Sequence, residues 1–126
     1  MEWIETGCEI RAQIDGGVMT VRFAGTLCVA TAVVLRLWLT SRFATWQPSD
    51  LVLDFTAARY EVEEADWPRI AADAGSAADV LCMSIAMLVS PQFSEACNHL
   101  ADLMARYGLL VYVFSDVASV RQWLAT

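Results

Sequence analysis

Two stretches near the start of the chain alternate apolar and polar residues. Cys8 to Ile14 reads Cys-Glu-Ile-Arg-Ala-Gln-Ile, and Val18 to Phe23 reads Val-Met-Thr-Val-Arg-Phe. A period of two marks strands with one face buried, and the Asp15-Gly16-Gly17 between them is a tight-hairpin sequence. The polar positions Glu9, Arg11, Gln13, Thr20 and Arg22 predict that one face of this hairpin is wetter than the other. After Gly25 the period changes. Cys28, Ala32, Leu35 and Leu39 recur at helical spacing, and Val29, Val33, Arg36 and Thr40 follow on a neighbouring face. We therefore predict a helix from Leu27 to about Phe43, capped by Thr26. Its first half is apolar nearly all round, which is the pattern of a helix covered on more than one side.

Beyond the loop Trp46-Gln47-Pro48-Ser49, three apolar runs read as buried strands: Leu51 to Phe55, Leu81 to Val89, and Leu109 to Phe114. Residues 56 to 66 read as an acidic connection. Trp67-Pro68 suits a first helical turn, because proline there gives up no hydrogen bond, and Gly75 ends that helix. Ser90-Pro91 opens a helix with the apolar stripe Phe93, Cys97, Leu100 and Met104, stopped by Gly108. Ser115 or Asp116 caps a last helix whose Val117, Val120, Trp123 and Leu124 face inward. The predicted order is ββαβαβαβα: an α/β fold, with an N-terminal hairpin, a mixed sheet of about five strands and four helices, forming one domain over residues 1–126.

Composition then narrows the chemistry. The chain has 126 residues, 57% hydrophobic and 18% charged, with a formal net charge of −7. Its basic residues are all Arg, so a Schiff-base or phosphate-loop lysine is excluded. A single histidine, His99, rules out a multi-histidine metal site. The acidic balance, with no basic cluster, argues against nucleic acid and anionic lipid as partners. Cys8, Cys28, Cys82 and Cys97 form no CxxC pair, and each reads as a small hydrophobe among apolar neighbours. The most apolar run, Leu27 to Leu39, has 13 residues and contains Arg36. A bilayer span needs about 20, so no membrane insertion is expected. The start Met1-Glu2-Trp3-Ile4-Glu5 lacks a secretory signal's basic and apolar regions, and we expect a cytoplasmic protein.

The element order, together with Leu51-Val52-Leu53-Asp54-Phe55, Leu109 to Ser115, and Val113-Phe114-Ser115-Asp116 through Trp123-Leu124-Ala125, resembles the STAS domain. It is most similar to the small SpoIIAA-like proteins, whose fold is that of bacterial anti-sigma factor antagonists. The resemblance implies a regulatory module that binds a protein partner, is not an enzyme and needs no cofactor. In the antagonists, a serine within Asp-Ser-Ser-Gly opens the second helix and is phosphorylated. Laid without gaps from Asp54, that motif falls on Val62-Glu63-Glu64-Ala65, where glutamate replaces both serines. The phosphorylation switch therefore does not carry over. The glutamate pair has two readings. Acidic residues near a helix start are favoured by the helix dipole, by roughly 0.3–1 kcal/mol each. Alternatively, the pair is a permanent mimic of phosphoserine.

Ligands of open α/β sheets gather at the carboxyl ends of strands, where Asp54, Thr56, Ser90, Ser115 and Asp116 lie. Ser90 and Asp116 serve as helix caps, and Asp54 can hold backbone N–H groups of the following segment. An Asp54–Arg59 ion pair is the other use of that position. The candidate partner surface is thus Asp54, Thr56, Arg59, Glu63 and Glu64. No catalytic residue is assigned. The acids at 61–66 lack the spacing of a calcium loop, so no metal is expected. Cys97 and His99, two apart on a helix, point in different directions and make no dyad. The apolar first helix suggests a homodimer surface through Val29, Val33 and Trp38. The competing reading is a carrier or sensor with a small apolar ligand or lipid beneath that helix.

Overall fold

A computed structural model describes residues 2–5 and 7–126, with side chains from residue 7 onward. The elements are β1 (Glu2–Glu5), β2 (Cys8–Asp15), β3 (Val18–Leu27), α1 (Val29–Arg42), β4 (Asp50–Tyr60), α2 (Trp67–Gly75), β5 (Ser84–Leu88), α3 (Ser94–Ala105), β6 (Leu110–Phe114) and α4 (Val117–Leu124). Single 3-10 turns at Glu64–Asp66 and Pro91–Phe93 lead into α2 and α3. The strands lie side by side in sequence order. The β1–β2 and β2–β3 pairs are antiparallel, and β3–β4, β4–β5 and β5–β6 are parallel. This is the expected mixed α/β sheet with four helices. A sixth strand, β1, is added on the hairpin edge.

The hairpin forms as its sequence predicts. Asp15 pairs with Val18, and Gly16 and Gly17 both have positive φ, +57° and +88°, which a tight primed turn requires. The strand progression β3 to β6 moves in one direction across the sheet. Right-handed crossovers then put every connecting helix on the same face. There Ile10, Met19, Phe23, Leu51, Phe55 and Ile85 pack against Leu35 and Leu39 of α1, Ile70 of α2 and Leu100 of α3. The last helix is not a crossover and covers the other face, where Val120 packs on Val52, Ala86 and Leu88. The β2–β3 half of that second face has no helix over it, which is why Arg11, Gln13, Thr20 and Arg22 are exposed.

Several local expectations change. The β3–β4 ladder shifts register between Arg22 and Ala24, then continues to the Leu27–Tyr60 pair. Residues 56–60 are therefore strand rather than connection. Thr26 belongs to β3 and does not cap α1. Cys28 holds the N-cap position, with its N–H donating to Thr31 Oγ1 at 3.0 Å, while the Thr31 hydroxyl donates to the Thr26 carbonyl at 2.7 Å. Ser90 precedes a 3-10 turn and its side chain caps nothing. Asp116 does cap α4, its Oδ1 accepting from Ser119 N–H at 2.7 Å. Val117, expected to face inward, is exposed, and Cys82 is exposed rather than enclosed.

Gly25 has φ +109°, and a Cβ there would lie 2.4 Å from the Gly7 carbonyl oxygen. The obstruction is backbone and cannot swing aside. Gly25→Ala is expected to destabilise the protein by more than about 1 kcal/mol, read as a lower denaturation midpoint. Gly16→Ala, with open space around its Cβ position, is expected to cost less.

Candidate functional site

The candidate residues separate into three places. Asp54 and Thr56 occupy the β4 side of the register shift. Asp54 Oδ1 accepts from Thr56 N–H at 2.9 Å and from the Thr56 hydroxyl at 2.6 Å. This clasp holds the extra β4 residue that the shift introduces. Asp54 faces the open half of the sheet, in a shallow depression shared with Glu9, Arg11, Gln13, Thr20 and Arg22. Arg59 lies elsewhere. Its Nη2 donates to Thr26 Oγ1 at 2.7 Å, and its Nε is 3.7 Å from Glu61. The anticipated Asp54–Arg59 pair does not form, because the strand carries Arg59 past the shift toward β3. The Arg59–Glu61 pair is exposed and contributes little to stability.

Glu63 and Glu64 stand where the chain turns into α2. The Glu63 N–H donates to Asp66 Oδ2 at 3.0 Å, and the Asp66 N–H donates to the Glu63 carbonyl at 2.9 Å. Asp66 thus closes the turn, leaving both glutamate side chains exposed. Glu64 borders a groove of about 560 Å³ with Trp67, Gln92, Glu95, Ala96 and His99. The starts of α2 and α3 form its walls. Glu95 and His99 are one helical turn apart, so they share a face of α3. Sequence spacing within α3 put His99 on its wetter side. It gave no sign that Glu95 and Glu64 would meet across a groove, since that depends on how two helices pack.

The first-helix residues behave differently from expectation. Trp38 is 6% exposed, with the Arg42 guanidinium 5.1 Å from its ring centre, so it offers no surface to a second copy. Val29 packs partly against the core, and Val33 is half-buried. α2 and the sheet cover much of the helix, and Leu37 on its outward side is 51% exposed. Beneath it lies an apolar cavity of about 70 Å³, lined by residues including Leu35, Leu39, Leu53, Trp67 and Ile70. Arg36 and Asp73 line the same cavity and make a two-pronged pair between α1 and α2, Nη2 to Oδ1 at 2.9 Å and Nε to Oδ2 at 3.3 Å. This pair, the one polar feature of that wall, was not legible from either helix alone.

Among the described residues, no group of three or more His, Cys, Asp or Glu side chains is placed to hold a metal ion. Among the same residues, no helix is long and apolar enough to cross a membrane. Cys97 and His99 do not meet: Cys97 is fully buried, and His99 lines the groove. Close to Cys97 is Tyr60, whose ring stacks on Phe93 at 3.9 Å and whose buried hydroxyl lacks a hydrogen bond. Burial pushes the Cys97 thiol up to about 11 and raises Tyr60 as well.

No known family's sequence profile matches the chain, and no curated protein matches it. Its fold does have known counterparts. An anti-sigma factor antagonist from Mycobacterium paratuberculosis superposes with a TM-score of 0.65 at 14% identity, over 98% of each chain. A serine-to-glutamate variant of RsbS from Moorella thermoacetica gives 0.55 at 14% identity, covering 93% of this chain and 98% of that one. An uncharacterised protein with a SpoIIAA-like fold from Shewanella loihica gives 0.57 at 14% identity, over 94% of each. The chain therefore has the SpoIIAA-like fold of the anti-sigma factor antagonists, as the sequence resemblance implies.

The Cys97 environment yields a pH dependence. Below pH 9 the thiol is protonated in folded and unfolded chains alike, and its burial has no titration cost. Between 9 and about 11 the unfolded chain releases the proton and the folded chain keeps it, so stability falls as pH rises. Denaturant midpoints measured across that window are expected to decline. Tyr60→Phe keeps the stack on Phe93 and removes a hydroxyl without a hydrogen bond. It is expected to be neutral or stabilising, by up to about 1 kcal/mol at neutral pH.

Proposed function

We propose that this protein is a non-enzymatic, cytoplasmic regulatory module, and that it binds a protein partner through the surface where Glu63 and Glu64 lead into α2. The observation that carries this reading is the exposure of both carboxylates at the start of the second crossover helix of a SpoIIAA-like fold. One of them borders a groove large enough to take a partner side chain. Glutamate supplies about one negative charge where phosphoserine would carry about −1.5 to −2. The surface is therefore held near one charge state and is not switched by a kinase. Asp54 and Thr56 hydrogen-bond to each other at the β3–β4 register shift, and Arg59 hydrogen-bonds to Thr26 across the same ladder.

The cavity under α1 favours a second reading, the carrier or sensor of a small apolar molecule. Its size limits that reading. Ordinary ligand pockets are about 300–1,000 Å³, and a dry cavity of about 150 Å³ is one known to hold benzene. At about 70 Å³ the space fits only a few heavy atoms unless α1 and α2 part.

The test is a pull-down from the native host with wild-type protein and the Glu63→Ala, Glu64→Ala double variant. Both side chains are exposed, so the fold is expected to survive. The partner should be retained at least about tenfold less by the variant, a loss of about 1.4 kcal/mol. An identical partner profile would sink the assignment. Native mass spectrometry separates the two readings: the bare chain mass, or a multiple of it, supports the interaction module, and an added small-molecule mass supports the carrier.

A further inference from the structure

The sheet ends on β6, and among the described residues nothing pairs with its outer edge. The Phe114 carbonyl accepts from Val89 N–H at 2.9 Å, so Phe114, and by alternation Tyr112 and Leu110, direct their backbone groups toward β5. Val111 and Val113 direct theirs outward, where no described strand receives them. Exposed strand edges are ordinarily guarded by lysine, proline, a bulge or an inward-pointing charge. β6 has none of these. Its sequence is Leu-Val-Tyr-Val-Phe, uncharged throughout, and it pairs with β5 without a register shift. Leu110 is 55% exposed and Tyr112 is 45% exposed. Two more exposed large apolar side chains, Tyr107 and Val117, flank the strand. The opposite edge differs, since the β1 sequence Glu-Trp-Ile-Glu has an acid at each end.

We propose that β6 is a self-association edge, pairing antiparallel with β6 of a second copy to continue the sheet across a two-fold axis. An antiparallel pair of identical strands is self-complementary, as a two-fold interface must be. Centred on Tyr112, it sets Leu110 opposite Phe114 and each tyrosine opposite its own copy. Cross-strand aromatic pairs of this kind stabilise a sheet. Charge also matches. Exposed Arg106 precedes the strand and exposed Asp116 follows it, so antiparallel pairing brings the Arg106 end of each copy to the Asp116 end of the other. A parallel arrangement would match like ends. The occupant is thus a second copy of this chain. Its dimer surface is β6 and not the first helix, whose Trp38 is already buried.

Two measurements test this. Sedimentation across a concentration range is expected to show the wild type moving from the chain mass to twice that mass. Amide exchange on the same samples is expected to show Val111 and Val113 gaining protection with concentration, whereas Leu110, Tyr112 and Phe114, bonded to β5, are protected throughout. The Leu110→Lys, Tyr112→Lys variant puts like charges across the pair and should weaken association at least about tenfold. Wild type that stays monomeric at its highest soluble concentration overturns the proposal. So does a dimer in which the Val111 and Val113 amides exchange freely, or a folded lysine variant that dimerises like wild type. Should the lysine variant misfold, the wild-type amide pattern decides the matter alone.

Discussion

β4 is bonded in parallel on both edges, to β3 and to β5. A parallel pair cannot be joined by a tight turn; it needs a crossover, and the crossover needs a helix to bury its own apolar side. Three such steps in one direction across the sheet place α1, α2 and α3 on a single face. Most other features follow. Leu51 and Phe55 of β4 sit under those helices and are nearly inaccessible, as are Met87 of β5 and Phe23 of β3. The other face receives only α4, and the hairpin's polar residues remain in water. The fold is lopsided because its strands are added in sequence order.

The same constraint decides where chemistry can gather. Crossover helices start just past the carboxyl ends of parallel strands, so the starts of α2 and α3 are neighbours. Glu64 and Glu95 meet there with His99, although Glu64 and Glu95 are 31 positions apart. Asp54, mid-strand on β4, faces away from this place. Its carboxylate is used by Thr56, which steadies the ladder where one strand has a residue more than the other. The candidates divide because Asp54 lies within β4 on the sheet's open face, whereas Glu63 and Glu64 lie beyond the end of β4, at the turn into α2.

What the sequence made legible depended on the length of each signal. Alternation over seven residues and the Asp-Gly-Gly turn were enough for β2 and β3. The helical repeat of α1 was equally clear, within two residues at its start. β1 has four residues, too few to show a period. The extension of β4 to Tyr60 was hidden because Thr56 to Tyr60 includes Arg59 and follows a register shift, a property of the pair and not of either strand. Trp38 shows the same limit for surfaces. An apolar stripe tells that something covers a helix, and only the packing tells that it is α2 and the sheet rather than another molecule. That Glu63 and Glu64 come just before α2 was legible, because Trp67-Pro68 marks its first turn. The groove beside them was not.

The two surfaces singled out here are geometrically independent, and this bears on how the protein would work. The acidic groove lies at the carboxyl end of the strands, on the face of the crossover helices. The β6 edge lies along the side of the sheet. Antiparallel pairing of β6 with its copy reverses the strand direction across the two-fold, so the two carboxyl ends point opposite ways. A dimer of this kind would present its acidic grooves at opposite ends of one continuous sheet. A single compact partner could not occupy both, and the second binding event would gain nothing from the first unless the partner were long or itself multivalent. Such a dimer would bridge two partner molecules rather than clasp one. On the proposed reading, the dimer would set how many partners are joined, and Glu63 and Glu64 would set which partner is chosen.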